Sequence, residues 1–275
     1  MHGTLTRAPA GSAVPYLRWP GPVALAHRGG GAEVPENSRA ALEHAAGLGY
    51  RYFETDVHRT ADGVVVLLHD PTLDRTTDGR GPLAELTWAE ASRLRDGSGE
   101  RPVRLDEALA DYPQLRFNID LKEDAVVAPA LRVVAAAGAA DRVCLASFSD
   151  RRLRVVRRLT GGRVATSLGR VETARLVAAA ALGPAPGVPT PSGAPVRRAV
   201  CVQVPPTHRG VPVVTPAFVR RAHALGLAVH VWTIDDAPTM HRLLDLGVDG
   251  LVTDRPTVLR EVLEIRGEWV VDPAS

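Results

Sequence analysis

A chain of 275 residues suits one large domain, and its 45% hydrophobic share supplies a core that Val, Leu and Ala must fill, because aromatics make up only 4%. Formal net charge is +2, with 33 Lys+Arg against 31 Asp+Glu, so bulk charge gives no ground for nucleic-acid binding. No run reaches the ~18 apolar residues of a membrane span and none at the N-terminus reads as a signal peptide, so a cytoplasmic protein without stable membrane insertion is expected.

Residues 1–22, with Pro9, Pro15 and Pro20, read as a loose lead-in. The run 23–28 is a short buried strand ended by Gly29-Gly30-Gly31, and Ser38 is a good N-cap for a helix that Gly49 stops. Residues 51–70 read as a β-hairpin turning at Asp62-Gly63. The stretch 71–104 fits no βα unit and reads as an insertion over one end of the domain. Alternation then resumes, with strands at 115–121, 142–147, 163–168, 199–204, 228–234 and 250–253 and helices between them. Residues 183–198 are rich in Pro and Gly and read as a mobile loop, and 266–275 as a tail. With 23–28 and 51–58 the parallel strands number eight, each followed by a helical segment, which predicts a closed (β/α)8 TIM barrel over 23–265. A ninth parallel strand at 64–68 would instead favour an open sheet. Cys144 and Cys201 lie in apolar runs and read as buried free thiols. The pairs Arg151-Arg152, Arg157-Arg158 and Arg197-Arg198 read as solvated charge.

Strand side chains alternate with period two, so Glu54 and Asp56 share a face, as do Asn118, Asp120 and Lys122. Several charges facing a barrel interior are costly unless they pair or bind a metal. Three carboxylates near strand C-termini can hold a divalent cation, and oxygen ligands favour Mg²⁺ or Ca²⁺. The alternative is a structural ion-pair network with Lys122 and Arg28. His27 and His69 each adjoin a charged residue at a strand end, which suits general acid–base work. His2, His44, His58, His208, His223 and His241 read as structural or exposed, and His230 shares a face with Trp232. Together these residues are a kit for splitting a phosphate ester with a metal ion.

His27-Arg28-Gly29, Pro35-Glu36-Asn37-Ser38, Glu54-Thr55-Asp56-Val57 and the run His69 to Thr77 resemble the glycerophosphodiester phosphodiesterase family. So do Asn118 to Lys122, Ser147-Phe148, Trp232 to Asp235 and Gly250 to Pro256. The resemblance implies a TIM barrel with a subdomain inserted after His69. It implies a divalent metal on Glu54, Asp56 and Asp120, His27 and His69 as the acid–base pair, Arg28 and Lys122 on phosphate oxygens, and Trp232 as an apolar wall. The implied reaction is hydrolysis of small-molecule glycerophosphodiesters to sn-glycerol 3-phosphate and an alcohol. The competing expectations are phospholipase D-like action on lysophospholipids or sphingomyelin, and a phosphate-ester binding barrel without catalysis. Asp120 stands where many relatives carry Glu, Ser38 where Thr is common, and Asp235 where Asn is frequent.

Overall fold

The computed structural model describes residues 14–182 and 199–271, so the 183–198 loop lies outside the described residues. Eleven strands are present among the described residues: β1 (Val23–His27), β2 (Tyr52–Arg59), β3 (Val65–Leu67), β4 (Arg116–Leu121), β5 (Val143–Ala146), β6 (Ala165–Ser167), β7 (Ala199–Val204), β8 (Thr207–His208), β9 (Val211–Pro212), β10 (Ala228–Val231) and β11 (Gly250–Thr253). Between them lie α1 (Arg39–Gly47), α2 (Trp88–Ala91), α3 (Leu105–Asp111), α4 (Val127–Ala136), α5 (Asp150–Leu159), α6 (Arg170–Ala181), α7 (Pro216–Ala224), α8 (Ala237–Asp245) and α9 (Pro256–Ile265). The helix starts follow local chemistry: Ser38, Ser149, Thr215 and Asp236 each accept a hydrogen bond from a first-turn backbone N–H.

The sheet runs β1-β11-β10-β7-β6-β5-β4-β2, and a further β1–β2 pairing closes it into an eight-stranded parallel barrel. β3 pairs antiparallel with the far end of β2, at Val57 to Arg59, beyond the point where β1 stops. The hairpin therefore adds no ninth barrel strand. A second small hairpin, β8–β9, follows β7. Its turn is Arg209-Gly210, with both residues at positive φ (50° and 80°).

Apolar side chains fall into three clusters. The largest fills the layer between barrel and helices, with Phe53, Val57, Phe117, Ile119, Val202 and Val229 among its members. The second lies inside the barrel floor and includes Tyr16, Leu25, Tyr52, Cys144 and Cys201. The described part of the lead-in is thus not loose: Tyr16 is buried under the floor, and Arg116 Nη1 donates to the carbonyls of Pro15 and Tyr16 at 2.6 and 2.7 Å. Both cysteines are buried free thiols, with Sγ atoms 4.0 Å apart. The third cluster belongs to the insertion. Strand alternation makes β3 the seam, because Val65 and Leu67 face the main core while Val66 and Leu68 face Leu73, Leu83 and Ala91. Among the described residues no helix is long and apolar enough to cross a membrane.

Candidate active site

Charged side chains converge where the strands end, at the C-terminal mouth of the barrel. Parallel pairing of β2 with β4 sets Glu54 opposite Asn118 and Asp56 opposite Asp120, all facing inward and all at least 92% buried. Lys122, just past β4, reaches back so that Nζ lies 2.7 Å from Asp56 Oδ1 and 2.8 Å from Asp120 Oδ2. Asn118 turns its own oxygen to Gln203, whose Nε2 donates at 3.0 Å across the barrel.

Arg28 follows β1 in a left-handed conformation (φ 53°), and Gly29 (φ 86°) continues the turn. A Cβ at Gly29 would come within 2.5 Å of Ala41 Cβ and 2.8 Å of the Phe53 ring, so only glycine fits. The turn points the Arg28 amide at Glu54 Oε2 (3.3 Å) and sends the guanidinium over the site. There Nη1 donates to Glu36 at 3.0 Å, and Nε stands 3.2 Å from Asp56 Oδ2 without the angle of a hydrogen bond. Asn37, also left-handed at φ 53°, donates to Asp56 at 3.4 Å and accepts from the Thr55 hydroxyl at 2.7 Å.

Both predicted histidines carry a carboxylate on Nδ1. His27 Nδ1 pairs with Asp254 Oδ1 at 2.7 Å, and its Nε2 lies 3.8 Å from Glu54. His69 Nδ1 pairs with Asp70 Oδ1 at 2.7 Å, while its carbonyl stands 3.2 Å from His58 Nε2. Trp232, just past β10, meets the exposed Phe148 ring edge-on at 6.0 Å, which gives the mouth an aromatic side. His230 lies deeper and fully buried, against Gly250 and beside the Cys201 thiol.

The electrostatics are those of an anionic hole. Burial, then the neighbouring Asp56, pushes the Glu54 carboxyl up to about 8, and burial raises Asp120 as well. Burial works against the charge on His27, but the Glu54 and Asp254 carboxylates outweigh it and raise its pKa. For Lys122 too, burial is outweighed by Asp120 and Asp56, so its ammonium is held more firmly. Among the described residues no three His, Cys, Asp or Glu groups stand at metal-holding distance, and the Lys122 ammonium lies between two of the carboxylates. The donor set nevertheless fits a hard divalent cation. It is all oxygen, and Asp120 Oδ1 is buried with no hydrogen-bond partner among the described residues.

Every residue singled out from the sequence lies at this mouth or on its rim. Three partners were not singled out for a role: Asp254, Asp70 and Glu36. All three lie in runs that carry the family resemblance, and Asp70 is also adjacent to His69, but Asp254 lies 227 residues from His27 and nothing in the spacing signals that pairing.

Residues 27–258 match the sequence model of the glycerophosphoryl diester phosphodiesterase family. A Mycobacterium tuberculosis protein named "Probable glycerophosphodiester phosphodiesterase 2" is 42% identical over 257 residues, 93% of this chain and 96% of that protein. A glycerophosphodiester phosphodiesterase structure from Agrobacterium tumefaciens superposes with a TM-score of 0.71 at 26% identity, covering 88% of this chain and 98% of its own. An Oleispira antarctica phosphodiesterase, solved in complex with the product sn-glycerol-3-phosphate, superposes with a TM-score of 0.72 at 24% identity, covering 89% and 97%. With a barrel, a mouth and a sequence of this kind, the chain is an enzyme of the glycerophosphoryl diester phosphodiesterase family.

Proposed function

We propose that the protein hydrolyses glycerophosphodiesters to sn-glycerol 3-phosphate and an alcohol. In this reading Glu54, Asp56 and Asp120 hold a divalent cation, Mg²⁺ or Ca²⁺, and His27 and His69 form the acid–base pair. The observation that carries it is the pair of imidazoles, each held through Nδ1 by a carboxylate, in one mouth with three buried carboxylates. The product bound by the Oleispira relative, together with family membership, supports the same phosphate ester here.

When bound, the cation supplies Lewis-acid stabilisation of the charge that grows on the phosphate. Arg28 and Lys122 hold non-bridging oxygens; the flexible stem of Lys122 lets its ammonium serve either the carboxylates or a phosphate. One imidazole takes a proton from the attacking water as the bond from phosphorus to the leaving oxygen breaks. The other delivers a proton to that oxygen, so the alcohol departs neutral. An alkoxide is a poor leaving group, so the proton donor matters, by ~10²–10⁴-fold. If the neighbouring glycerol hydroxyl attacks instead, a cyclic phosphate forms first and water opens it. The carboxylates on Nδ1 fix the ring tautomer and leave Nε2 for the substrate. Trp232 is the apolar wall beside the glycerol carbons.

The test is turnover of glycerophosphocholine, read as glycerol 3-phosphate release, with and without EDTA. Release should stop in EDTA and return with Mg²⁺ or Ca²⁺. Undiminished release in EDTA would defeat the metal assignment. Preference for lysophosphatidylcholine or sphingomyelin would favour the phospholipase D-like alternative.

A further inference from the structure

The inserted segment contributes one side chain that ties both halves of the mouth together. Arg75 Nε donates to Asp70 Oδ2 at 2.6 Å, while Asp70 Oδ1 takes His69 Nδ1 at 2.7 Å, so both oxygens of that carboxylate are held. The other edge of the Arg75 guanidinium donates twice to Glu36, from Nη1 and Nη2, at 2.8 Å each. Glu36 Oε1 also receives Arg28 Nη1 at 3.0 Å. A single chain of charge-assisted contacts therefore runs His69–Asp70–Arg75–Glu36–Arg28.

The backbone under Arg75 is anchored, while the side chain itself is 48% exposed. Leu73, two residues before it, is 1% exposed in the core of the insertion. Thr77, two residues after it, donates to the Leu73 carbonyl from both its backbone N–H (3.0 Å) and its hydroxyl (2.9 Å). The guanidinium is the only common side chain that can satisfy this geometry, because one ammonium cannot present a lateral Nε donor and a parallel pair at once.

We propose that Arg75 is a positioning residue of the reaction, acting through Asp70 to hold the His69 imidazole and through Glu36 to hold Arg28, and that this is what the inserted subdomain contributes to catalysis. The inference rests on the role of His69 proposed above. Consistent with a permanent clamp, the Arg75 hydrogen bond holds the Asp70 carboxyl down to about 2, so it stays a carboxylate throughout the working range.

The experiment is a double-mutant cycle on purified full chain, with kcat and KM measured on glycerophosphocholine and thermal unfolding measured alongside. Arg75→Met should lower kcat by about tenfold or more, in line with the cost of a misplaced catalytic group. In an Asp70→Asn background the same change should lower kcat by several-fold less than in wild type, because only the arm through Glu36 to Arg28 remains to be cut. Arg75→Lys keeps the charge and should fail to restore kcat. A normal kcat in Arg75→Met, equal losses in both backgrounds, or full activity in Arg75→Lys would each overturn the clamp. His69→Ala, assayed beside them, separates the two levels: if it turns over normally the role of His69 itself falls, whereas if it is inactive while Arg75→Met is normal only the clamp falls.

Discussion

On β2, Tyr52 and Glu54 point the same way into the barrel, two residues apart, yet one belongs to the floor and the other to the mouth. The floor is an uncharged, close-packed core, although the buried Tyr16 hydroxyl has no hydrogen-bond partner among the described residues. Tyr52 stacks edge-on with Tyr16 at 5.4 Å, donates its hydroxyl to the Tyr16 carbonyl at 2.8 Å, and packs beside the two thiols. The mouth is charged: carboxylates crowd together, Asp120 Oδ1 has no partner among the described residues, and the Glu54 carboxyl is pushed up to about 8. The same inward faces thus serve stability at one end and bind charge at the other, the division of labour expected between the two ends of a TIM barrel. Depth along a strand, more than residue type, tells which role an inward side chain has.

The sharpest way to break this contrast is at the imidazoles. His27→Ala and His69→Ala should each lower turnover by at least ~100-fold while circular dichroism keeps the wild-type spectrum. Near-normal turnover in either would remove the acid–base pair from the mouth. Glu54→Gln should also destroy activity, but in metal-free protein it should raise stability. The sign follows from linkage: a carboxyl raised from 4.5 to about 8 opposes folding increasingly as pH climbs through that window. Wild type in EDTA should therefore lose stability between pH 4.5 and 8 relative to Glu54→Gln. Parallel stability curves for the two proteins would contradict the picture of a strained anionic hole. The smallest effect belongs to the floor. Tyr52→Phe should cost about 1 kcal/mol of stability, from one lost hydrogen bond to a carbonyl that keeps Arg116 as a donor, and leave kcat unchanged. A fall in kcat there would show that floor and mouth are not separable.

Much of this was legible beforehand, and the exceptions have a common cause. Period-two alternation was enough to place Glu54 with Asp56 and Asn118 with Asp120 and Lys122, because strand geometry carries such patterns directly. The hairpin was legible from Asp62-Gly63, and the insertion from the failure of 71–104 to fit a βα unit. Asp254 was invisible as the partner of His27 because only barrel closure, β1 against β11, brings residues 227 apart into contact. The Arg75 clamp was hidden for a related reason. It joins a turn in the insertion to the loop after β1, and no periodicity links two irregular segments. The tight turn at Arg209-Gly210 was passed over because its flanking residues are exposed and carry no alternating apolar signal.

The proposed reaction depends on a cation gathered by Glu54, Asp56 and Asp120. Anomalous scattering from crystals soaked in Mn²⁺ tests that most directly. One strong peak bounded by these three carboxylates, with Lys122 Nζ displaced from between Asp56 and Asp120, is the predicted result. A mouth with no peak, and Lys122 still bridging the two aspartates at saturating metal, would contradict it.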